Sequence, residues 1–175
     1  MNILVCVKRV PDTAENEIEI NAAGNDIERD DLVYSVNEWD NYAVEEAIQL
    51  RDKLGGSVTV VTVGDEDAEE VLRREMAMGA DNGILLSDEA FAGSDGKGIA
   101  RSLKGVVEKG SYDLILTGAQ ADAGAAQVGG MLAAMLDYPY ASLVNAIEVL
   151  DDSKLKVGRE IEGGNQEMNE IELPC

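Results

Sequence analysis

The chain has 175 residues, 45% apolar and only 4% aromatic, which suits one domain around an aliphatic core. Fourteen Lys and Arg against 35 Asp and Glu give a formal charge of −21, which argues against nucleic-acid and membrane-surface roles. With no His, and with Cys6 and Cys175 at opposite ends, imidazole catalysis, His-ligated zinc, a CxxC metal pair and a disulfide framework all drop out.

Met1 leads straight into Ile3-Leu4-Val5-Cys6-Val7, too short for a signal-peptide core and without its basic lead-in. No apolar run reaches the roughly 18 residues of a spanning helix, so the expectation is a cytoplasmic protein with reduced thiols. The surplus acid fits either a salt-adapted source or a basic partner, and the sequence does not choose.

Ile3–Val7 predicts a strand covered on both faces. Glu17–Asp31 alternates Ile18, Ile20 and Ile27 around Ala22-Ala23-Gly24-Asn25, which suggests an inserted hairpin. Asn41–Leu54 carries Ala43, Ala47, Leu50 and Leu54 at helical spacing and stops at Gly55-Gly56. Ser57–Val63 is a β-branched strand, and Glu66–Met78 a helix opened by acids that suit its positive end. Ile84–Leu86 is a short strand, Lys97–Lys109 a helix, Tyr112–Thr117 a strand and Ala125–Leu136 a helix. Ala146–Leu150, Lys154–Ile161 and Met168–Leu173 read as an antiparallel tail added to the sheet's edge, with turns at Asp151-Asp152-Ser153 and Gly163-Gly164-Asn165. The order predicts a Rossmann-like, doubly wound α/β fold with a mainly parallel sheet, an inserted hairpin and a C-terminal antiparallel extension.

The stretch Thr117-Gly118-Ala119-Gln120-Ala121-Asp122-Ala123-Gly124-Ala125-Ala126-Gln127-Val128-Gly129-Gly130 joins a strand to a helix at the carboxyl edge of the sheet. Its small residues let backbone amides approach an anion, and the helix start adds partial positive charge. The same residues also suit a tight turn with no ligand. Neither GxGxxG nor a Walker lysine is present.

Asn37-Glu38-Trp39-Asp40 precedes the first helix, with Asn37 or Asp40 as a natural N-cap and Trp39 available to cover a planar ring or to fill a gap. Lys8 and Arg9, just after the first strand, suit either a ligand phosphate or neighbouring acids, whereas Cys6 reads as an apolar filler. Asp65–Glu70 reads as a solvated helix start rather than a metal site, and no carboxylate pair marks an acid–base catalyst.

Together these residues resemble the β subunit of electron transfer flavoprotein over essentially the whole chain. The resemblance is carried by Val7-Lys8-Arg9-Val10-Pro11-Asp12 and by Asn37-Glu38-Trp39-Asp40 with Ala43-Val44-Glu45-Glu46-Ala47. It continues through Ala77-Met78-Gly79-Ala80-Asp81, Gly118-Ala119-Gln120-Ala121-Asp122 with Gln127-Val128-Gly129, Arg159-Glu160-Ile161-Glu162-Gly163-Gly164 and Leu173-Pro174. It implies a subunit without catalytic residues of its own, paired with an α subunit. The subunit would hold a structural AMP beside an FAD carried mainly by α, and the pair would take electrons from flavin dehydrogenases. Carried over by position, adenosine would meet Cys6, Asn37, Glu38, Trp39, Asp40 and Val63. The phosphate would sit on Gly118, Ala119, Gln120, Ala121, Asp122, Ala123, Gly124, Ala125, Ala126, Gln127 and Val128.

Three departures stand out. The Gln120–Gly129 spacing is a residue shorter than is common in the family, Glu38 replaces the usual proline, and residues 1–175 lack the family's C-terminal recognition loop and arm. A second FAD in the same pocket, as in bifurcating members, is the close alternative. A universal-stress-type ATP-binding module is the rival from another class, although its phosphate pattern is missing. An ATP pyrophosphatase would need an SGGxDS-type loop where Lys8-Arg9-Val10-Pro11 stands.

Overall fold

The computed structural model describes residues 1–121 and 125–175. The first half runs β1 (Asn2–Cys6), β2 (Arg9–Pro11), β3 (Tyr34–Val36), α1 (Glu38–Leu54), β4 (Ser57–Val63), α2 (Glu69–Met78) and β5 (Asn82–Leu86). The second half runs α3 (Gly96–Val107), β6 (Leu114–Thr117), α4 (Val128–Leu136), β7 (Val144–Asp151), β8 (Lys154–Ile161) and β9 (Asn165–Glu172).

A four-stranded parallel sheet in the order β5-β4-β1-β6 forms the centre, so the fold is the doubly wound α/β architecture expected. Ile3, Leu4 and Val5 are all fully buried because successive side chains serve opposite faces. Ile3 and Val5 join Val58 and Val60 of β4, Val44, Ala47 and Ile48 of α1, and Val71 and Leu72 of α2. On the other face Leu4 and Val61 meet Ala100, Leu103 and Val107 of α3 and Leu132 of α4. The chain steps from β1 out to β4 and β5, then crosses back to the far side of β1 for β6. The loops leaving β1 and β6 therefore diverge at the carboxyl edge, where open α/β sheets hold ligands.

Several boundaries differ from the sequence reading. The first strand ends at Cys6, although the Val7 N–H still donates to the Val61 carbonyl (2.9 Å). The first helix starts at Glu38, and Asn37 occupies its N-cap position without a side-chain bond. The acids of Glu66–Ala68 form a 3₁₀ turn before α2 begins. The fourth helix starts at Val128 rather than Ala125, because Ala126 sits at φ 52°, outside helical geometry.

The inserted hairpin is reduced to an Ile20–Ile27 bridge near its tip. Its base is the antiparallel β2–β3 pair, too short to read from pattern. Ile20 is 75% exposed; no second layer covers it, and without burial the ladder does not extend. The antiparallel tail β7-β8-β9 forms a sheet of its own rather than lengthening the parallel one. Leu155 and Val157 turn its inner face into the first core cluster, so it is held by side-chain burial. Among the described residues of the tail, Cys175 alone bonds to the edge of β6, donating to Asp113 O (3.2 Å) and accepting from Ile115 N (2.8 Å).

Candidate functional site

The carboxyl ends of three parallel strands supply the floor of the site. Cys6 ends β1 and stands in register with Val61 of β4 on one side and Thr117 of β6 on the other. Val63 ends β4 and pairs with Leu86. Burial, reinforced by Asp40 and opposed by Lys8, pushes the Cys6 thiol up to about 12, which disfavours the thiolate form.

Lys8, Asn37, Asp40 and Gly118 converge above that floor. The Asn37 N–H donates to Lys8 O (3.0 Å), tying the exit of β1 to the start of α1. Asp40, 1% exposed, accepts the Lys8 backbone N–H on Oδ2 (2.9 Å), and the Lys8 ammonium lies 3.5 Å from the same oxygen. Burial raises the Asp40 carboxyl above its ordinary range, against the lowering pull of Lys8 and the Asn37 amide. A Cβ on Gly118 would overlap Asp40 Oδ1 and stand 2.9 Å from Asp40 N, so glycine is required at that contact. Arg9, the adjacent cation, is engaged elsewhere: its guanidinium stacks 3.7 Å from the Tyr34 ring centroid.

The residues singled out from sequence fall into two sets. Asn37 and Asp40 are buried within the rim, whereas Glu38 and Trp39 are exposed on it. Trp39 is 53% exposed, its ring 5.9 Å from the Tyr42 ring, while the Tyr42 hydroxyl donates to Glu38 (3.0 Å). On the loop, Ala119, Gln120, Ala125, Ala126 and Gln127 are exposed and Ala121 is buried. Asp122, Ala123 and Gly124 lie outside the described residues. Gln127 stands at the N-cap position of α4 without a side-chain cap bond, so its own side chain leaves the first-turn amides of that helix unclaimed. The Gln127 side chain instead lies toward Gly96 at the start of α3, as does Val128.

Sequence reasoning missed the role of Asp40 as the hub of this arrangement; a capping residue and a buried hub look alike in one dimension. It also missed Glu75, fully buried on α2, and Thr62, 1% exposed on β4. A polar residue at a core-facing period was the available signal. A groove of about 810 Å³ lies elsewhere, between Tyr140 and the Arg159, Glu167 and Asn169 face of the C-terminal sheet. Among the described residues no His/Cys/Asp/Glu group could hold a metal ion, and no helix is long and apolar enough to cross a membrane.

Small residues expose main-chain donors beside a helix start, a cation stands close by, and an exposed indole offers a flat face. Residues 25–175 match the family model for the electron transfer flavoprotein domain. The electron transfer flavoprotein subunit beta of Thermoanaerobacterium thermosaccharolyticum is 43% identical over 99% of this chain and 66% of its own length. Protein FixA of Azotobacter vinelandii is 42% identical over 100% and 64%, respectively. The caffeyl-CoA reductase-Etf complex subunit CarD of Acetobacterium woodii is 40% identical over 100% and 66%. This chain thus spans about two thirds of the length of these relatives. With the parallel sheet, the carboxyl-edge loops and these matches in agreement, the chain belongs to the electron transfer flavoprotein family, and its relatives there are β subunits and FixA proteins.

Proposed function

We propose that the chain is the β subunit of a heterodimeric electron carrier and holds a structural AMP in the crevice between the exits of β1 and β6. The observation that carries this reading is the convergence of Lys8, the start of α1 and the Gly118 loop at the switch point of the sheet. In this reading the uncapped first turn of α4 and the amides around Ala119–Ala121 and Ala125–Gln127 meet the phosphate, while Trp39 lines the mouth. Asn37 and Asp40 shape the wall from within. A flavin held mainly by an α subunit would supply the redox chemistry. This chain's own residues contribute binding and order: an occupied crevice ties together three segments that converge around Asp40, which stabilises the fold by mass action.

The experiment is to purify the natural complex, record its flavin absorbance and identify by mass spectrometry what denaturation releases. One flavin per pair with one AMP is expected. Two flavins and no AMP would replace AMP with a second FAD in the crevice. A homodimer carrying ATP and no flavin would overturn the electron-carrier reading in favour of a signalling module.

A further inference from the structure

Asp40 joins three segments that leave the carboxyl edge of the sheet. Its Oδ2 accepts the main-chain N–H of Lys8, its own main chain belongs to the first turn of α1, and its Oδ1 lies where a Cβ on Gly118 would sit. Oδ1 is buried and has no hydrogen-bond partner among the described residues. At 1% exposure, the side chain has almost no surface to offer a ligand. Gly118 also approaches the main chain of Trp39, so the take-off of the loop is pressed against backbone as well as carboxylate. A shift of either partner moves the other, because interiors are close-packed and yield little.

On the nucleotide reading above, we propose that Asp40 is a positioning residue: it does not touch the nucleotide, but through its contact with Gly118 it sets where the phosphate-binding loop leaves β6. The consequence is selective. Misplacing the loop disturbs the amides that meet a phosphate more than the surface that meets the base, which Asp40 borders. Affinity for AMP should fall further than affinity for adenosine, whereas a general loss of packing would weaken both alike.

The test uses the natural complex stripped of nucleotide, titrated calorimetrically with AMP and with adenosine. Gly118→Ala and Asp40→Ala should each weaken AMP binding about tenfold and adenosine binding by a distinctly smaller factor. Asp40→Asn, which keeps the shape and an acceptor for the Lys8 amide, should restore most of the AMP affinity. In the double variant the two losses should not add, since removing the carboxylate relieves part of the Gly118→Ala overlap. Equal weakening of AMP and adenosine, or simple additivity, would overturn the proposal while leaving the nucleotide reading intact. If the unmodified protein binds neither compound, the nucleotide reading itself fails and the positioning role falls with it. Should Asp40→Ala not fold, Gly118→Ala and Asp40→Asn decide the matter, because full AMP affinity in Gly118→Ala is itself contradictory.

Discussion

Burial dictates the chemistry of Glu75. The side chain is fully buried on α2, neither carboxyl oxygen has a hydrogen-bond partner among the described residues, and burial pushes the carboxyl up to about 7. Arg74 pulls it down and Asp40 pushes it further up. An acid whose folded value lies above its ordinary 4.5 holds a proton that the unfolded chain has already released. Stability therefore falls as pH rises from about 4.5 to about 7 and stays lower above that, by something on the order of 3 kcal/mol. Glu75→Gln, neutral throughout, should stabilise the protein at pH 8 and make little difference near pH 4.5, as read by denaturant unfolding at both values. An equal gain at both would contradict a titrating Glu75. By contrast, Asp81 of the Met-Gly-Ala-Asp segment has an evident structural task. It accepts the Val58 N–H (2.8 Å) and pairs with Arg51 (3.1 Å), which also donates to Gly79 O (2.6 Å). These bonds give the segment a structural task away from the crevice.

At the scale of elements, the helices and long strands were legible because each carries a period that burial enforces, as the alternation of Ile3, Leu4 and Val5 between two core clusters illustrates. The three-residue β2 and β3 were not, since three residues hold no period. The start of α4 was misplaced because Ala125 and Ala126 are good helix formers by propensity. Tertiary context overrides that and puts Ala126 at positive φ. The loop is consequently three residues longer at that end than the sequence suggests, which lengthens the run of main chain open to a ligand. The Asp40–Gly118 contact was invisible for a different reason: it joins residues 78 positions apart, and only the return of β6 to the side of β1 brings them together. The C-terminal sheet gives a test at this scale. Leu155 is fully buried and belongs to the same cluster as Ile3 and Val44, so the tail is part of the core and not an appendage. Leu155→Ala should cost roughly 2–5 kcal/mol in a single cooperative unfolding transition. A loss below about 1 kcal/mol, or a separate early transition for the tail, would show that the sheet is only loosely attached.

For the whole molecule, a charge of −21 on 175 residues is the dominant long-range force. Exposed acids crowd the start of α2 and the outer edges of the C-terminal sheet, and among the described residues about half of the cations are engaged in local pairs such as Arg51–Asp81, Arg73–Glu69 and Arg159–Glu167. Self-repulsion should make the fold weaker at low ionic strength. Raising salt from about 0.01 M to 0.15 M shortens the screening length from about 30 Å to 8 Å and should raise the melting temperature. A flat or falling curve would mean that attractive pairs outweigh the net charge. The same field bears on the crevice: an anion drawn to so acidic a protein needs donors that carry no competing carboxylate, and main-chain amides at a helix start meet that need. The most direct measurement is a crystal structure of the complex grown with saturating AMP. The phosphate is expected within hydrogen-bond distance of main-chain N–H groups between Gly118 and the first turn of α4, with the Asp40 carboxylate still against Gly118. A crevice holding only solvent, or a nucleotide whose phosphate is held by lysine and arginine side chains with the loop amides unused, would contradict it.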